Sequence, residues 1–288
     1  MVFYSFLCNF VVYKTFPNMK FLNKYSKVTI FLFIFVGFIF VFYKLANYYS
    51  FAKEKIIEHN GEHASDTLKI IIIGDSWAAY HAEYDSHLKS ILESKQNKIV
   101  TVNSKGSVGA KTKAIYSNLF DSISYYGTKK IIDSSPEYAI IFAGINDAVA
   151  KMGTKNYCYH YNLIIKNLLS AGIKPIVIDM PQVDYKAVYQ RENIIKKVRH
   201  QFSSRLTNTP LWSFDTYRKK LKLTIRQKVS RNQILYIPSS EWNPKGYADP
   251  RKLYLEDHIH LNKKGYLLLD SCIASYILSD IHPTHDFQ

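Results

Sequence analysis

Five short, nearly unbroken apolar runs punctuate the chain: LKIIIIG (68–74), KIVTVN (98–103), YAIIFAG (138–144), KPIVIDM (174–180) and QILYIP (233–238). All are rich in β-branched residues, and most lack polar alternation. That is the pattern of strands covered on both faces of a parallel sheet. Amphipathic stretches such as EYDSHLKSILESKQ and YCYHYNLIIKNLLSAG separate them, long enough for helical crossovers. The second stops at Gly172, a residue type that ends helices readily. The alternation predicts one doubly wound α/β domain over residues 67–283, a five-stranded parallel sheet with flanking helices. From Asp184 to Ser230 the rhythm breaks into a polar, basic, helical segment, read as a crossover helix plus an insertion over the active face. A last helix, KKGYLLLDSCIASYIL, is expected to start from Asn262 as its cap.

Nearer the N-terminus the pattern changes. Residues 28–43, VTIFLFIFVGFIFVFY, carry no charge, and Leu45 and Ala46 extend the run past Lys44. A stretch of about 20 apolar residues spans a bilayer core, so 28–46 is expected to be a transmembrane anchor. The rival reading is a cleaved signal peptide, with Ser50-Phe51-Ala52 as a weak cleavage site. Lys14, Lys20, Lys24 and Lys27 precede the run without an acidic residue. The positive-inside rule therefore places residues 1–27 in the cytoplasm and the catalytic part outside it. Met19-Lys20 is an alternative start. Residues 47–66 read as a tether, and His59 and His63 within it as solvated linker residues, since no further ligand set accompanies them.

Composition narrows the partners. The chain has 38 basic and 23 acidic residues, a formal net charge of +15. The lysines are scattered, and neither zinc-finger spacing nor an RNA-binding aromatic signature nor a basic-region heptad is present. No nucleic-acid partner is expected; a solvated basic face, a polyanionic glycan or an anionic membrane surface fits the charge. Cys8, Cys158 and Cys272 have no metal-ligand spacing, and their odd number argues against a disulfide framework.

In open sheets of this kind, ligands bind beyond the carboxyl ends of the strands. Chemistry-bearing residues sit there. Gly74-Asp75-Ser76 follows the first run, NSKGSVGAKT the second and Gly144-Ile145-Asn146-Asp147 the third, while YLEDHIHLNKKGY lies near the C-terminus. Alone, Ser76 reads as a helix cap; the four strings together read as an acyl-transfer site. A serine hydroxyl needs a base, here His260, and the base needs an acceptor on its other ring nitrogen, here Asp257. His258 is the neighbouring alternative, offset to point elsewhere. The backbone N–H of Ser76, the N–H of Gly109 and the side-chain amide of Asn146 are the candidate donors to a developing oxyanion, with Gly106 the alternative to Gly109. Asp75 and Asp147 are expected to order their loops. Trp77 and Tyr80 either line the acyl pocket or simply pack. A G-x-S-x-G elbow, a Walker loop, a dinucleotide glycine pattern and H-E-x-x-H are all missing, so neither metal nor cofactor is expected.

These four blocks resemble those of the SGNH hydrolases, the GDSL esterase/lipase superfamily. Gly74-Asp75-Ser76 matches the first block, GSVGAKT the second, Gly144–Asp147 the third and Asp257–His260 the last. Trp77 stands where the family usually has leucine. The resemblance covers residues 70–266 and implies a flavodoxin-like doubly wound fold and a Ser76–His260–Asp257 esterase without cofactor. Its expected substrate is an ester on a surface glycan or lipid. The same residues would also suit an O-acyltransferase acting on an extracytoplasmic polysaccharide, and a third reading is a non-catalytic glycan-binding module.

Overall fold

The computed structural model describes residues 24–58, 66–212 and 214–283. The expectations for Met19, for the segment before Lys24, and for Cys8, His59 and His63 lie outside the described residues. The chain divides into two compact units at Ser50/Phe51. In the first, helix α1 (Lys24–Tyr49) contains a stretch, Val28–Tyr49, long and apolar enough to cross a membrane, none of it buried. A helix apolar on all sides is one built for an apolar surround.

The second unit holds the sheet. Its strands are β1 (Thr67–Gly74), β2 (Ile99–Gly106), β3 (Tyr138–Phe142), β4 (Lys174–Ile178) and β5 (Leu235–Ile237). They are all parallel, in the order β2-β1-β3-β4-β5, the doubly wound arrangement expected from the sequence. The central strands explain their own composition: Ile70 to Ile73 and Ala139 to Ile141 are essentially inaccessible, so both faces of the sheet demand apolar side chains.

The helices are α2 (Ser76–His81), α3 (Asp85–Glu93), α4 (Thr112–Asn118), α5 (Lys129–Ile132), α6 (Ile145–Val149), α7 (Thr154–Ser170), α8 (Tyr185–Arg191), α9 (Ile194–Leu206), α10 (Phe214–Ser230), α11 (Ser239–Trp242) and α12 (Lys263–Ile281). Helices α3 and α12 pack together beside β2; α4, α7 and α10 form a second layer, with α7 on β4. The segment that broke the sequence rhythm folds as α8, α9 and α10. Gly172 follows α7 with φ +77°, and Asn262 caps α12 by accepting a hydrogen bond from the Gly265 N–H at 3.1 Å.

Ahead of the sheet, residues 51–58 lie along α4 and α7 without regular secondary structure. The Ala52 N–H donates to His160 Nε2 (3.0 Å), the Lys55 N–H to the Tyr116 hydroxyl (2.7 Å) and the Ile57 N–H to Asn167 Oδ1 (2.8 Å). Asn167 Nδ2 returns a bond to the Lys55 carbonyl at 3.0 Å. This strap is fastened through its backbone, which is why its polar side chains gave no sign of it.

Candidate active site

The first site element is the turn from β1 into α2. The buried Asp75 caps the helix: its Oδ1 accepts from the Trp77 N–H at 3.0 Å. The cap is thus Asp75, and the expectation that Ser76 fills this role is corrected. Ser76 is the first helical residue and almost wholly buried.

The second element is the loop before α12. Leu255 N–H donates to the His260 carbonyl (2.8 Å) and Asn262 N–H to the Leu253 carbonyl (3.0 Å), closing a narrow ribbon. Inside it, Asp257 Oδ1 accepts from the N–H groups of Ile259 and His260, both at 2.9 Å. Asp257 Oδ2 lies 2.5 Å from His260 Nδ1, and His260 Nε2 lies 2.8 Å from Ser76 Oγ. One neutral tautomer satisfies both contacts: Nδ1–H donates to Asp257 while Nε2 accepts from the serine hydroxyl. Partial burial works against the charge on Asp257, yet the His260 ring and the two backbone donors hold its carboxyl below the ordinary value. His258 takes a left-handed conformation, φ +64°, and its ring faces Asp184 and Arg191 instead.

The third element surrounds Asn146, on α6. Its Nδ2 donates to Asp75 Oδ2 at 3.3 Å, which joins the first and third blocks. The next residue, Asp147, is buried and takes both donors of Thr112: the N–H at 2.9 Å and the hydroxyl at 2.8 Å. Thr112 starts α4, just after the Gly109 turn, so Asp147 ties the second block to the third. Burial, the leading cause in each, raises Asp75 to about 7 and Asp147 to about 6.

Structure separates the two glycine candidates. A Cβ on Gly106 would meet the Asp75 carbonyl oxygen at 2.2 Å and the Ala79 nitrogen at 2.3 Å, so this residue lets β2 approach α2. Gly109 is exposed, has open space around it and sits at φ +76°. Its glycine is required by backbone conformation.

Of the two aromatics, Trp77 packs: it is buried among Phe142, Trp242 and Tyr266, and its carbonyl accepts from the Tyr266 hydroxyl at 3.1 Å. Tyr80 stays at the surface, its ring 4.9 Å from that of His260.

Sequence reasoning missed a buried network behind the site. His81, on the same helix as Ser76, has Nε2 2.5 Å from Asp270 Oδ1 and Nδ1 3.0 Å from Asp85 Oδ1. His87 approaches the other Asp270 oxygen at 3.0 Å. Burial disfavours the His81 cation, but the two carboxylates outweigh it and lift the group to about 9. The available signal was Asp270 itself, an acid inside the apolar run YLLLDSCIA.

Such an arrangement of hydroxyl, imidazole and carboxylate is the one needed for nucleophilic acyl transfer. Comparison with known proteins agrees on the family. Residues 72–268 match the model of the GDSL-like lipase/acylhydrolase family. The fold is similar to the lipase/acylhydrolase from Enterococcus faecalis, with 20% identity, 74% of this chain and 96% of that chain covered, and TM-score 0.51. It is also similar to the family 3 carbohydrate esterase of Clostridium thermocellum, with 15% identity, 75% and 98% covered, and TM-score 0.53. No curated protein matches the sequence. With two thirds of its length fitting the family model, all four blocks included, the chain belongs to the GDSL-like lipase/acylhydrolase family, hydrolases acting on ester bonds.

Proposed function

We propose that this protein is a membrane-anchored serine esterase with Ser76 as nucleophile, His260 as base and Asp257 as its orienting acid. The hydrogen-bonded chain from Ser76 Oγ through His260 to Asp257, at 2.8 and 2.5 Å, carries the reading. Ser76 Oγ attacks the ester carbonyl as its proton passes to His260 Nε2. Asp257 keeps the ring in the required tautomer and stabilises the imidazolium. The oxyanion takes hydrogen bonds from the N–H groups of Ser76 and Gly109 and from Asn146 Nδ2. His260 then protonates the departing alkoxide, and the acyl group remains on Ser76. Water, deprotonated by the same nitrogen, attacks the acyl-enzyme; the acid leaves and Ser76 regains its proton. The cycle calls on no cofactor.

The substrate proposed is a carboxylic ester on an extracytoplasmic glycan or lipid. Support comes from the apolar α1, the strongly positive chain and a fold that a carbohydrate esterase also uses. The test is turnover of an aryl acetate by the full-length chain in detergent. Ser76→Ala is expected to lower it by at least about 10⁴-fold; unchanged turnover in that variant sinks the assignment. Adding an acceptor glycan, and asking whether free acid or an acylated sugar accumulates, separates hydrolysis from transfer.

A further inference from the structure

Helix α9 is turned the wrong way for a soluble surface. Its inward side is polar: His200 and Ser203 are buried, and Lys197, Ser204 and Thr207 half-buried. Its outward side carries Ile194, Ile195, Val198, Phe202 and Leu206, each 52–77% exposed. At 100° per residue these five fall within an arc of about 120°, an apolar stripe interrupted only by Arg205 near its C-terminal end. Trp212, in the stretch leading to α10, is also exposed and packs edge-on against Tyr189 of α8. The charge carried by this helix is of one sign. Helix α9 contains Lys196, Lys197, Arg199 and Arg205 and no acidic residue.

An apolar stripe on a helix whose only charged residues are cations suits one occupant: the headgroup region of a bilayer containing anionic phospholipid. The chain also possesses a helix apolar and long enough to cross a membrane. We infer that α9 is a second, interfacial membrane contact, lying in the bilayer surface with its Ile/Val/Phe/Leu stripe inward. The contact matters for the site because α8, which leads into α9, is bonded to the acid–base loop. The Asp184 N–H donates to the His258 carbonyl at 3.4 Å and Arg191 Nη1 to the Glu256 carbonyl at 3.3 Å. Docking of α9 therefore brings the Asp257–His260 loop close to the lipid surface, where a lipid-borne ester would be met. The inference itself is independent of the catalytic roles proposed above.

The protein supplies its own reporter. Of three tryptophans, Trp77 and Trp242 are buried and Trp212 is exposed. The full-length chain is reconstituted into vesicles of phosphatidylcholine alone, or an equal mixture with phosphatidylglycerol, each brominated along the acyl chain near the headgroup. In the anionic vesicles the emission is expected to shift to shorter wavelength and lose intensity. Trp212→Phe is expected to abolish that quenchable component. The double change Val198→Glu, Phe202→Glu on the solvent side is expected to lose the quenching while flotation with the vesicles, circular dichroism and aryl acetate turnover stay unchanged. Flotation reports α1; quenching reports α9. A chain that floats with anionic vesicles but leaves Trp212 unquenched overturns the inference, as does a chain that fails to float. Cross-linking of unquenched α9 to a second copy overturns it in favour of a dimer face.

Discussion

Asp75 and Asn146 form a pair whose chemistry depends on the direction of one hydrogen bond. When ionised, Asp75 can only accept, from Asn146 through one oxygen and, capping α2, from the Trp77 N–H through the other, so one buried carboxylate positions both the helix of the proposed nucleophile and the proposed oxyanion amide. Asn146→Ala, which deletes the donor, is expected to lower kcat by about 100–1,000-fold with little change in KM. Asp75→Asn keeps an acceptor for the Trp77 N–H but turns a donor toward the Asn146 amide. Its kcat is expected to fall less than that of Asn146→Ala; steady-state kinetics on one ester rank the two. At this scale the candidate site was largely legible, because Ser76, Gly109 and Asn146 stand in short strings after strands and Asp257 and His260 share one string before the last helix. The capping role was not: Asp75 and Ser76 are equally good caps by type, and only the backbone decides which side chain folds back.

At the scale of elements, α2 is too short to hold Ser76 in place by its own hydrogen bonds. It is fixed at its far end by His81, whose charge is matched by Asp270 on α12 and Asp85 on α3. Removing one partner of a buried pair leaves the other charge stranded, so His81→Ala is expected to cost roughly 3–5 kcal/mol. Denaturant unfolding measures the loss; a cost near zero would show that Asp270 and Asp85 are rescued by His87 and Ser104. The strands were readable because a sheet covered on both faces forces unbroken apolar runs. Helix α9 was readable as a helix but not in its orientation: periodicity reports that one side is apolar and is silent on which way that side faces. The 51–58 strap and the His81–Asp270 pair, 189 positions apart, left no periodic trace at all.

For the whole molecule, the buried titrating groups pull stability both ways with pH. Asp75 and Asp147 have folded values raised from 3.8 to about 7 and about 6, and His81 from 6.5 to about 9. A raised folded value gives stability that is complete below the unfolded value and is lost as pH climbs through the folded one. The two carboxyls thus lose their contribution by about pH 7 and His81 by about pH 9. Asp257 and Asp280 act oppositely, held low despite burial by His260 and by Lys174 respectively, and so do His160 and Lys151, which burial lowers to about 4 and about 8, so the contributions of these four fade as pH falls. The melting temperature is expected to peak near pH 4 and to decline toward 8; a scan across that interval that rises instead contradicts the burial of Asp75, Asp147 and His81. The His81–Asp270 pair has one more consequence, in time rather than in space. The helix that carries Ser76 is synthesised well before the residues that complete it: Asp270 follows His81 by 189 positions and His260 follows Ser76 by 184. On a nascent chain the proposed nucleophile therefore waits, unactivated, until the proposed base and its acid have also emerged and folded against it.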